Sequence, residues 1–461
     1  MSGSDIRGVP VSTSDPVCLD LLERALEAVN AFHGDPVALI DEALAHDPRF
    51  VMGHVFKAAL LTQAMETRIY ADMVRHLEAA EALAAGANDR ERGHIAAIRA
   101  WVEGDFHGAV QLWEAVANAH PFDLLAVMLV HLSGVLLGDV PNQRDCVARV
   151  FPLWDESVPG YEFILGFYSF GLEEMRDFSR AEELGRQAIA LRPNHPYAFH
   201  AVAHVMEMRG RQLGGVQFMN DRREMWEVSN FSNHLWWHLS LFHLDLDRID
   251  MTLKIYDHHL RGSGHEGEKY EELDCAALLW RLGLLGVDVG RRWQDLAVKW
   301  QPAATDTLYA FNDVHAMMAF TGAGRADLQH TLLTANERFV ANADDANVAM
   351  SREIGLPFCH AMQDFAAERY ADCVARLMPV RYLTHRLGGS HAQRDVIAWT
   401  LLEAALRAGN GDLALALANE RCQQKPTSPQ NWKFVARAHG LRGDKDRARR
   451  AEAKVEELRV A

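Results

Sequence analysis

Apolar residues recur along most of the chain with the three- and four-residue spacing of amphipathic helices. In residues 162–195, EFILGFYSFGLEEMRDFSRAEELGRQAIALRPNH, two apolar stripes flank a break at Arg176-Asp177-Phe178, and Pro193 lies near the end. Ala181 and Ala188 are small residues at positions where two helices can cross closely. The segment therefore predicts two antiparallel helices packed on each other.

The same pattern returns in other parts of the chain. Residues 90–123 repeat it, with Gly104-Asp105-Phe106 at the break and Val116 in place of the small Ala188. The last copy, NWKFVARAHGLRGDKDRARRAEA, has Gly443-Asp444 at the matching break. Weaker copies begin near Val51, Leu124, Pro196, Asn230, Ile354 and Ile397. A two-helix unit repeated about every 34 residues is typical of tetratricopeptide repeats.

The pattern predicts the fold class and the division of the chain. Alternating β-branched runs with hairpin turns are absent, so we expect an all-α fold. Tetratricopeptide-like helix-turn-helix repeats would stack into a right-handed α-solenoid with a concave groove. We expect a flexible N-terminal segment at 1–16, repeats at 17–260, a loop-containing junction at 261–306 and further repeats at 307–461, all in one continuous solenoid. The glycine-rich GSGHEGE segment, 262–268, is predicted to be an exposed loop that is mobile or acts as a lid.

Composition narrows the classes of partner and the compartment. Hydrophobic residues make up 49% and charged residues 24% of the 461 residues, which are values of a globular protein. The net charge of −16 argues against binding to nucleic acid or to an anionic membrane surface. The chain shows no signal-peptide pattern, and its six cysteines have no Cys-x-x-Cys spacing. We therefore expect a cytoplasmic protein with free thiols, of unknown oligomeric state.

Two histidine pairs occupy the same position in neighbouring repeats. PYAFHAVAHVMEMR contains His200 and His204, and NFSNHLWWHLSLFH contains His234 and His238. The offsets are equal, since 234 − 200 = 34 and 238 − 204 = 34. Residues four apart share a helix face, and packed helix axes lie ~8–10 Å apart. The four imidazoles are thus expected to converge on the concave face.

Several chemical roles are open to these histidines. A single histidine beside an apolar stripe is usually a core residue with one hydrogen bond, but packing alone does not explain four at matching positions. Imidazole is the commonest metal ligand, so a divalent metal such as Zn²⁺ is one cofactor that the cluster could hold. Without a metal the same groups could act as acids and bases. The catalytic candidates are His204, Glu207, His238 and Asp313.

Other residues could line the same groove and bind a ligand. Tyr197 and Phe231 share one repeat position, and Trp237 lies within the second histidine pair. FNDVHAMMAF adds three polar candidates, Asn312, Asp313 and His315. LGGSHAQRDV places Arg394 and Asp395 at a predicted helix start, where Ser390 could cap the helix and Arg394 could anchor an anion. Ordinary capping and an Arg–Asp surface pair are the alternative reading of this last motif.

The order of these motifs resembles a known family. FVMGHVFKAALL, HAVAHVMEM, the His-x-x-Trp-His run from His234, VGRRWQDL, FNDVHAM and LGGSHAQRDV together resemble the tetratricopeptide repeat protein 38 family, over nearly the whole chain. The matching residues are His200, His204, Glu207, His234, Trp237, His238, Asn312, Asp313, His315, Arg394 and Asp395. His391 departs from the pattern, which has an asparagine there. The resemblance implies a helical repeat fold and lends no activity or cofactor.

Three functions remain open at this point. The first is a site in the groove that binds a small molecule or a protein partner. The second is an enzyme of the hydrolase or lyase type that uses the His, Glu and Asp residues, with or without a metal. The third is a peptide-binding scaffold without chemistry, in which the groove would be open and the histidines solvated. Enclosed histidines within reach of one another would favour a chemical site.

Overall fold

The computed structural model describes residues 3–261 and 269–460, and these are almost wholly helical. In the first half, the helices are α1 Pro16–Ala31, α2 Pro36–His46, α3 Val51–Thr62, α4 Tyr70–Ala82, α5 Asp89–Val102, α6 Phe106–Ala119, α7 Leu124–Leu137, α8 Val140–Val150, α9 Tyr161–Glu174, α10 Phe178–Leu191, α11 Pro196–Met208, α12 Gln212–Asp221 and α13 Arg223–Trp226. After these come α14 Ser232–Asp245, α15 Ile249–Ile255, α16 Lys269–Leu284, α17 Arg292–Trp300, α18 Ala310–Gly322, α19 Ala326–Asn342, α20 Ala346–Met350, α21 Leu356–Ala366, α22 Tyr370–Leu377, α23 His391–Arg407, α24 Gly411–Gln424, α25 Pro429–Leu441 and α26 Lys445–Val460. The predicted all-α fold is confirmed.

Helix pairs form at most of the predicted copies because the chain turns in the same way there. A residue with positive φ ends the first helix of many pairs: Gly104, Gly138, Arg176, Gly210, Asp247, Gly324, Glu368, Gly409 and Gly443. The next residue donates its N–H to the carbonyl five residues earlier, as Asp105 does to Ala100 at 2.9 Å and Asn410 to Ala405 at 3.0 Å. This is the Schellman helix ending, which satisfies carbonyls that the helix leaves unbonded. The molecule is therefore built from tetratricopeptide-like helix-turn-helix repeats.

Small residues allow the helices of a pair to approach closely. Ala181 and Ala188 on α10 are fully buried, as the repeat pattern predicts. Val116 on α6, the exception in the pattern, is accommodated because Gly93 on α5 lies opposite; a Cβ at Gly93 would lie 2.5 Å from a Val116 methyl. The larger residue on one helix is thus matched by glycine on the other.

A short strand pair at the N-terminus was not predicted. β1, Gly3–Ser4, pairs antiparallel with β2, Pro10–Val11. Asn88 Nδ2 and Arg90 Nη1 both donate to the Pro10 carbonyl, at 3.2 and 3.1 Å. The N-cap residue and a first-turn side chain of α5 therefore contact this segment.

The chain divides into two compact units. The first comprises Met1–Val202, Glu224–Ser232 and Asp344–Asn347, and the second Ala203–Arg223, Asn233–Ala343 and Val348–Ala461. Within the second unit, α16 packs against α17, α18 and α23. The predicted lid at 262–268 lies outside the described residues, and the predicted junction at 261–306 stays a prediction. No helix in the described ranges has both the length and the apolar composition needed to span a membrane.

Candidate metal and ligand site

Three of the predicted histidines meet inside the second unit. His204 lies on α11, and His234 and His238 lie one turn apart on α14. His204 and His238 are fully buried, and His234 is 8% exposed. The ring centroids of His204 and His238 are 4.4 Å apart, and those of His234 and His238 are 4.8 Å apart. One ring nitrogen from each histidine lies within 4.8 Å of the others, so the three could share one ligand.

His200, the fourth predicted histidine, belongs to the first unit. It lies one turn before His204 on α11, and this helix runs through the boundary between the two units. The aromatic residues predicted to lie beside the histidines surround it: its ring is 5.5 Å from that of Tyr197 and 5.2 Å from that of Phe231. His204, His234 and His238 meet within the second unit, whereas the participation of His200 stays a prediction.

Two carboxylates orient the histidines of α14. His234 donates from Nδ1 to Asp274 Oδ2 at 2.7 Å, and His238 donates from Nδ1 to Glu207 Oε2 at 3.3 Å. A carboxylate only accepts, so each Nδ1 carries the hydrogen of its bond. Histidines that ligate metals are typically braced in this way. The role expected of Glu207 as a partner of the histidines fits this contact, whereas Asp274 had not been identified.

A buried lysine continues this chain of contacts. The Lys425 ammonium donates to the other oxygen of Glu207, Oε1, at 3.2 Å. Burial would raise the pKa of Glu207, but Lys425 and the hydrogen bond from His238 outweigh it and lower the pKa below its ordinary value. Burial and the neighbouring His204 lower the pKa of His238 to about 3. His238 is therefore neutral at pH 7, the form that binds metals.

Trp237 and Arg281 form the next layer around the cluster. The Trp237 ring stacks on His234, with centroids 5.2 Å apart and an angle of 18° between planes. The Arg281 guanidinium lies 5.6 Å from the Trp237 ring centroid and is 2% exposed. It donates to the carbonyls of Ala277 and Ala392 at 3.0 and 2.6 Å. Burial lowers the pKa of this guanidinium, which sequence analysis had not identified.

A small cavity adjoins these charged groups. Its volume is about 30 Å³, and its lining includes Glu207, Arg281, Asp395, Arg421 and Lys425. A polar cavity of this size is large enough to hold water. Asp395 forms two hydrogen bonds with Arg421, of 2.6 and 2.9 Å. Burial would raise the pKa of Asp395, but Arg421 lowers it to about 2.

The other predicted ligand-binding residues lie on α18 and α23. His315 donates from Nδ1 to the Phe311 carbonyl at 2.7 Å, and burial lowers its pKa to about 4. Asp313 is buried and Asn312 is partly buried. Arg394 is buried and donates to the Gly389 carbonyl. Ser390 caps α23 as predicted, in a reciprocal capping box with Gln393, so the cap serves the start of this helix.

The fold defines the class of the molecule, an α-helical protein with tetratricopeptide-like repeats. No family model matches the chain. A structure of a human IFIT1 dimer with m7Gppp-AAAA has 11% sequence identity and a TM-score of 0.43, over 97% of this chain and 96% of that chain. Yeast Tom70 has 12% identity and a TM-score of 0.36, over 93% of this chain and 88% of that chain. At these values nothing about ligands is transferred from either protein.

Proposed function

We propose that the second unit binds a divalent metal ion through His204, His234 and His238. The observation that carries this proposal is the pair of histidine–carboxylate hydrogen bonds, from His234 to Asp274 and from His238 to Glu207. Each bond leaves Nε2 as the donor atom toward a ligand, and neutral imidazole suits zinc. The resemblance to the tetratricopeptide repeat protein 38 family covers these histidines and Glu207, and we include membership of that family in the proposal.

The spacing of the histidines fits a site that closes slightly around the ion. Nitrogen ligands bind zinc at ~2.0–2.1 Å, so tetrahedral donor atoms lie about 3.3 Å apart. The ring nitrogens lie within 4.8 Å of one another, so the three side chains would draw together slightly when they bind the ion.

Metal-assisted chemistry on a small molecule is the second candidate function. Held by these three histidines, a zinc ion would have one position open for water and would supply the activation that hydrolysis needs. The buried Arg281 lies next to Trp237, beside the histidines, and its positive charge favours an anionic ligand. Further candidates for contacts with the ligand in the same unit are Asn312, Asp313, His315 and Arg394. A peptide scaffold that uses the histidines for contact is disfavoured because they are buried.

Metal titration tests the proposal directly. Chelator-treated protein should bind one equivalent of Co²⁺ or Zn²⁺ in calorimetry, and Co²⁺ should give the visible spectrum of nitrogen ligation. His204→Gln with His238→Gln should abolish binding. His243→Gln is the matched control, because His243 is buried on the same helix α14 outside the cluster. Absence of stoichiometric binding in the wild type, or unchanged binding in the double variant, would contradict the proposal.

A further inference from the structure

We infer that Lys425 is a positioning residue of the metal centre, supplied by the turn between α24 and α25. The inference rests on the proposed metal site and adds to it a residue far away in sequence. Glu207 uses both carboxylate oxygens: Oε2 accepts from His238 at 3.3 Å, and Oε1 accepts from Lys425 at 3.2 Å. Lys425 therefore acts on the metal through two intervening side chains.

Burial strengthens the hydrogen bond between Lys425 and Glu207. Glu207 is 7% exposed and Lys425 is 8% exposed, so water competes little for either group. A charged hydrogen bond in such surroundings is stronger than one at the surface, and an ionised carboxylate left there without its cation is strongly disfavoured. Without Lys425, the ionised Glu207 carboxylate would be unstable in this place and would turn toward water or away from His238. The His238 ring would then lose the brace that aims its Nε2.

The turn that carries Lys425 is seated on the two histidine helices. Thr427 Oγ1 donates to the Gly210 carbonyl, just beyond α11, at 2.8 Å. Ser428 Oγ donates to Asp245 Oδ1, at the end of α14, at 2.6 Å. The Gln430 N–H donates to the same Asp245 oxygen at 3.3 Å. The turn thus contacts the ends of both helices that carry the histidines.

These contacts depart from what a linear repeat array requires. In such arrays each repeat touches its neighbours in sequence. Lys425 and Glu207 are 218 residues apart, and Ser428 and Asp245 are 183 residues apart. The contacts place a lysine where the second oxygen of Glu207 needs a cation. A role of Lys425 in positioning the metal centre accounts for the placement of its ammonium beside Glu207.

A second lysine nearby supplies a matched control. Lys433 on α25 forms an ion pair of 2.6 Å with Asp247, which follows α14. Its partner is a different carboxylate, and its side chain is 27% exposed. Lys433→Met therefore removes a lysine–carboxylate pair from the same region without changing Glu207. Loss of general stability affects both variants, whereas loss of positioning affects only Lys425→Met.

The experiment measures the dissociation constant of Co²⁺ by competition with a chelator. We expect Lys425→Met to bind about 10- to 100-fold more weakly than the wild type, which is the usual effect of removing an outer partner of a ligand. Lys433→Met should stay within about 2-fold, and Lys425→Arg should recover part of the affinity because it keeps the charge. The Co²⁺ spectrum of Lys425→Met should also shift, because the His238 ring is reoriented.

Three outcomes would overturn the inference. They are unchanged affinity in Lys425→Met, equal weakening in Lys425→Met and Lys433→Met, and no recovery in a folded Lys425→Arg. If Lys425→Met does not fold, Lys425→Gln keeps a hydrogen-bond donor without the charge and must show the same loss. A wild type that binds no Co²⁺ refutes the proposed metal site itself. A wild type that binds Co²⁺ beside an unaffected Lys425→Met refutes only the role of Lys425.

Discussion

Buried histidines have different surroundings in different parts of the chain. His131 on α7, in the first unit, is fully buried between two neutral partners. Its Nδ1 donates to the Gln143 carbonyl at 3.0 Å, and its Nε2 accepts from the Tyr197 hydroxyl at 2.8 Å. Burial lowers its pKa to about 4, because no carboxylate compensates a proton on the ring. His131 is therefore a structural residue that must stay neutral.

The neutrality of His131 makes stability depend on pH. Its pKa is about 4 in the folded protein and about 6.5 in the unfolded chain, so the unfolded chain binds the proton first as pH falls. Stability from this residue is complete above pH ~6.5 and is lost between pH ~6.5 and pH ~4, by up to about 3 kcal/mol. We expect the stability of His131→Gln, which keeps a donor and an acceptor at this position, to fall less steeply as the pH is lowered. Urea unfolding of both proteins at pH 7, 6 and 5 gives the free energy of unfolding at each pH. If it fell equally steeply with pH in the two proteins, the prediction would be wrong.

The candidate site could be predicted in part from single residues. The equal offset of the histidine pairs predicted their convergence, because residues at one repeat position share a face of neighbouring helices. Glu207 could be predicted as a partner of the histidines because it lies on the same helix as His204, three residues further on. Asp274 and Lys425 could not be found in this way, since they lie 40 and 218 residues from their partners. Their contacts depend on how distant helices meet, which repeat periodicity does not encode.

The turn inside each repeat is the element that recurs most regularly. Gly210 ends α11 with φ 67°, and Gly409 ends α23 with φ 73°. A Cβ at Gly210 would lie 2.3 Å from Thr427 Oγ1, whereas a Cβ at Gly409 would meet no atom within 4 Å. Both positions need the left-handed conformation that glycine adopts freely. Only Gly210 also needs the absence of a side chain, because the turn after α24 is seated there.

This difference predicts unequal effects of alanine at the two turns. Gly409→Ala should lower the free energy of unfolding by ~1–2 kcal/mol, the cost of the left-handed backbone alone. Gly210→Ala should lower it by a further ~1–3 kcal/mol, because Thr427 must move. Chemical denaturation of the two variants gives the difference. If both variants lost the same free energy of unfolding, Thr427 would have moved aside without measurable destabilisation, and the prediction would be wrong.

The repeat elements could be predicted well, and the N-terminal strands could not. Helix pairs carry a periodic signal over about 34 residues, with a break that glycine or a polar residue marks. β1 and β2 have two residues each, too few to show any periodicity. They form because Asn88 and Arg90 bind the Pro10 carbonyl. Side-chain contacts of this kind leave no pattern in the strand sequence itself.

At the scale of the whole molecule, the proposed metal belongs to a few elements of one unit. His204, His234 and His238 lie on α11 and α14, Asp274 lies on α16, and Lys425 lies in the turn after α24. A ligand that binds only the folded state stabilises it by RT ln(1 + [L]/Kd), or ~2.7 kcal/mol at 100 times Kd. Part of this stabilisation should appear as slower local opening of the elements that hold the ion.

Hydrogen exchange with and without zinc can locate that stabilisation. We expect slower exchange in α11, α14, α16 and the α24–α25 turn when zinc is added to chelator-treated protein. Helices α5–α8 in the first unit should exchange as before, because they contribute no ligand or brace. The His204→Gln, His238→Gln double variant should lose the effect throughout. Uniform slowing along the chain would instead indicate nonspecific association with zinc, because only a local site confines protection to the helices that build it.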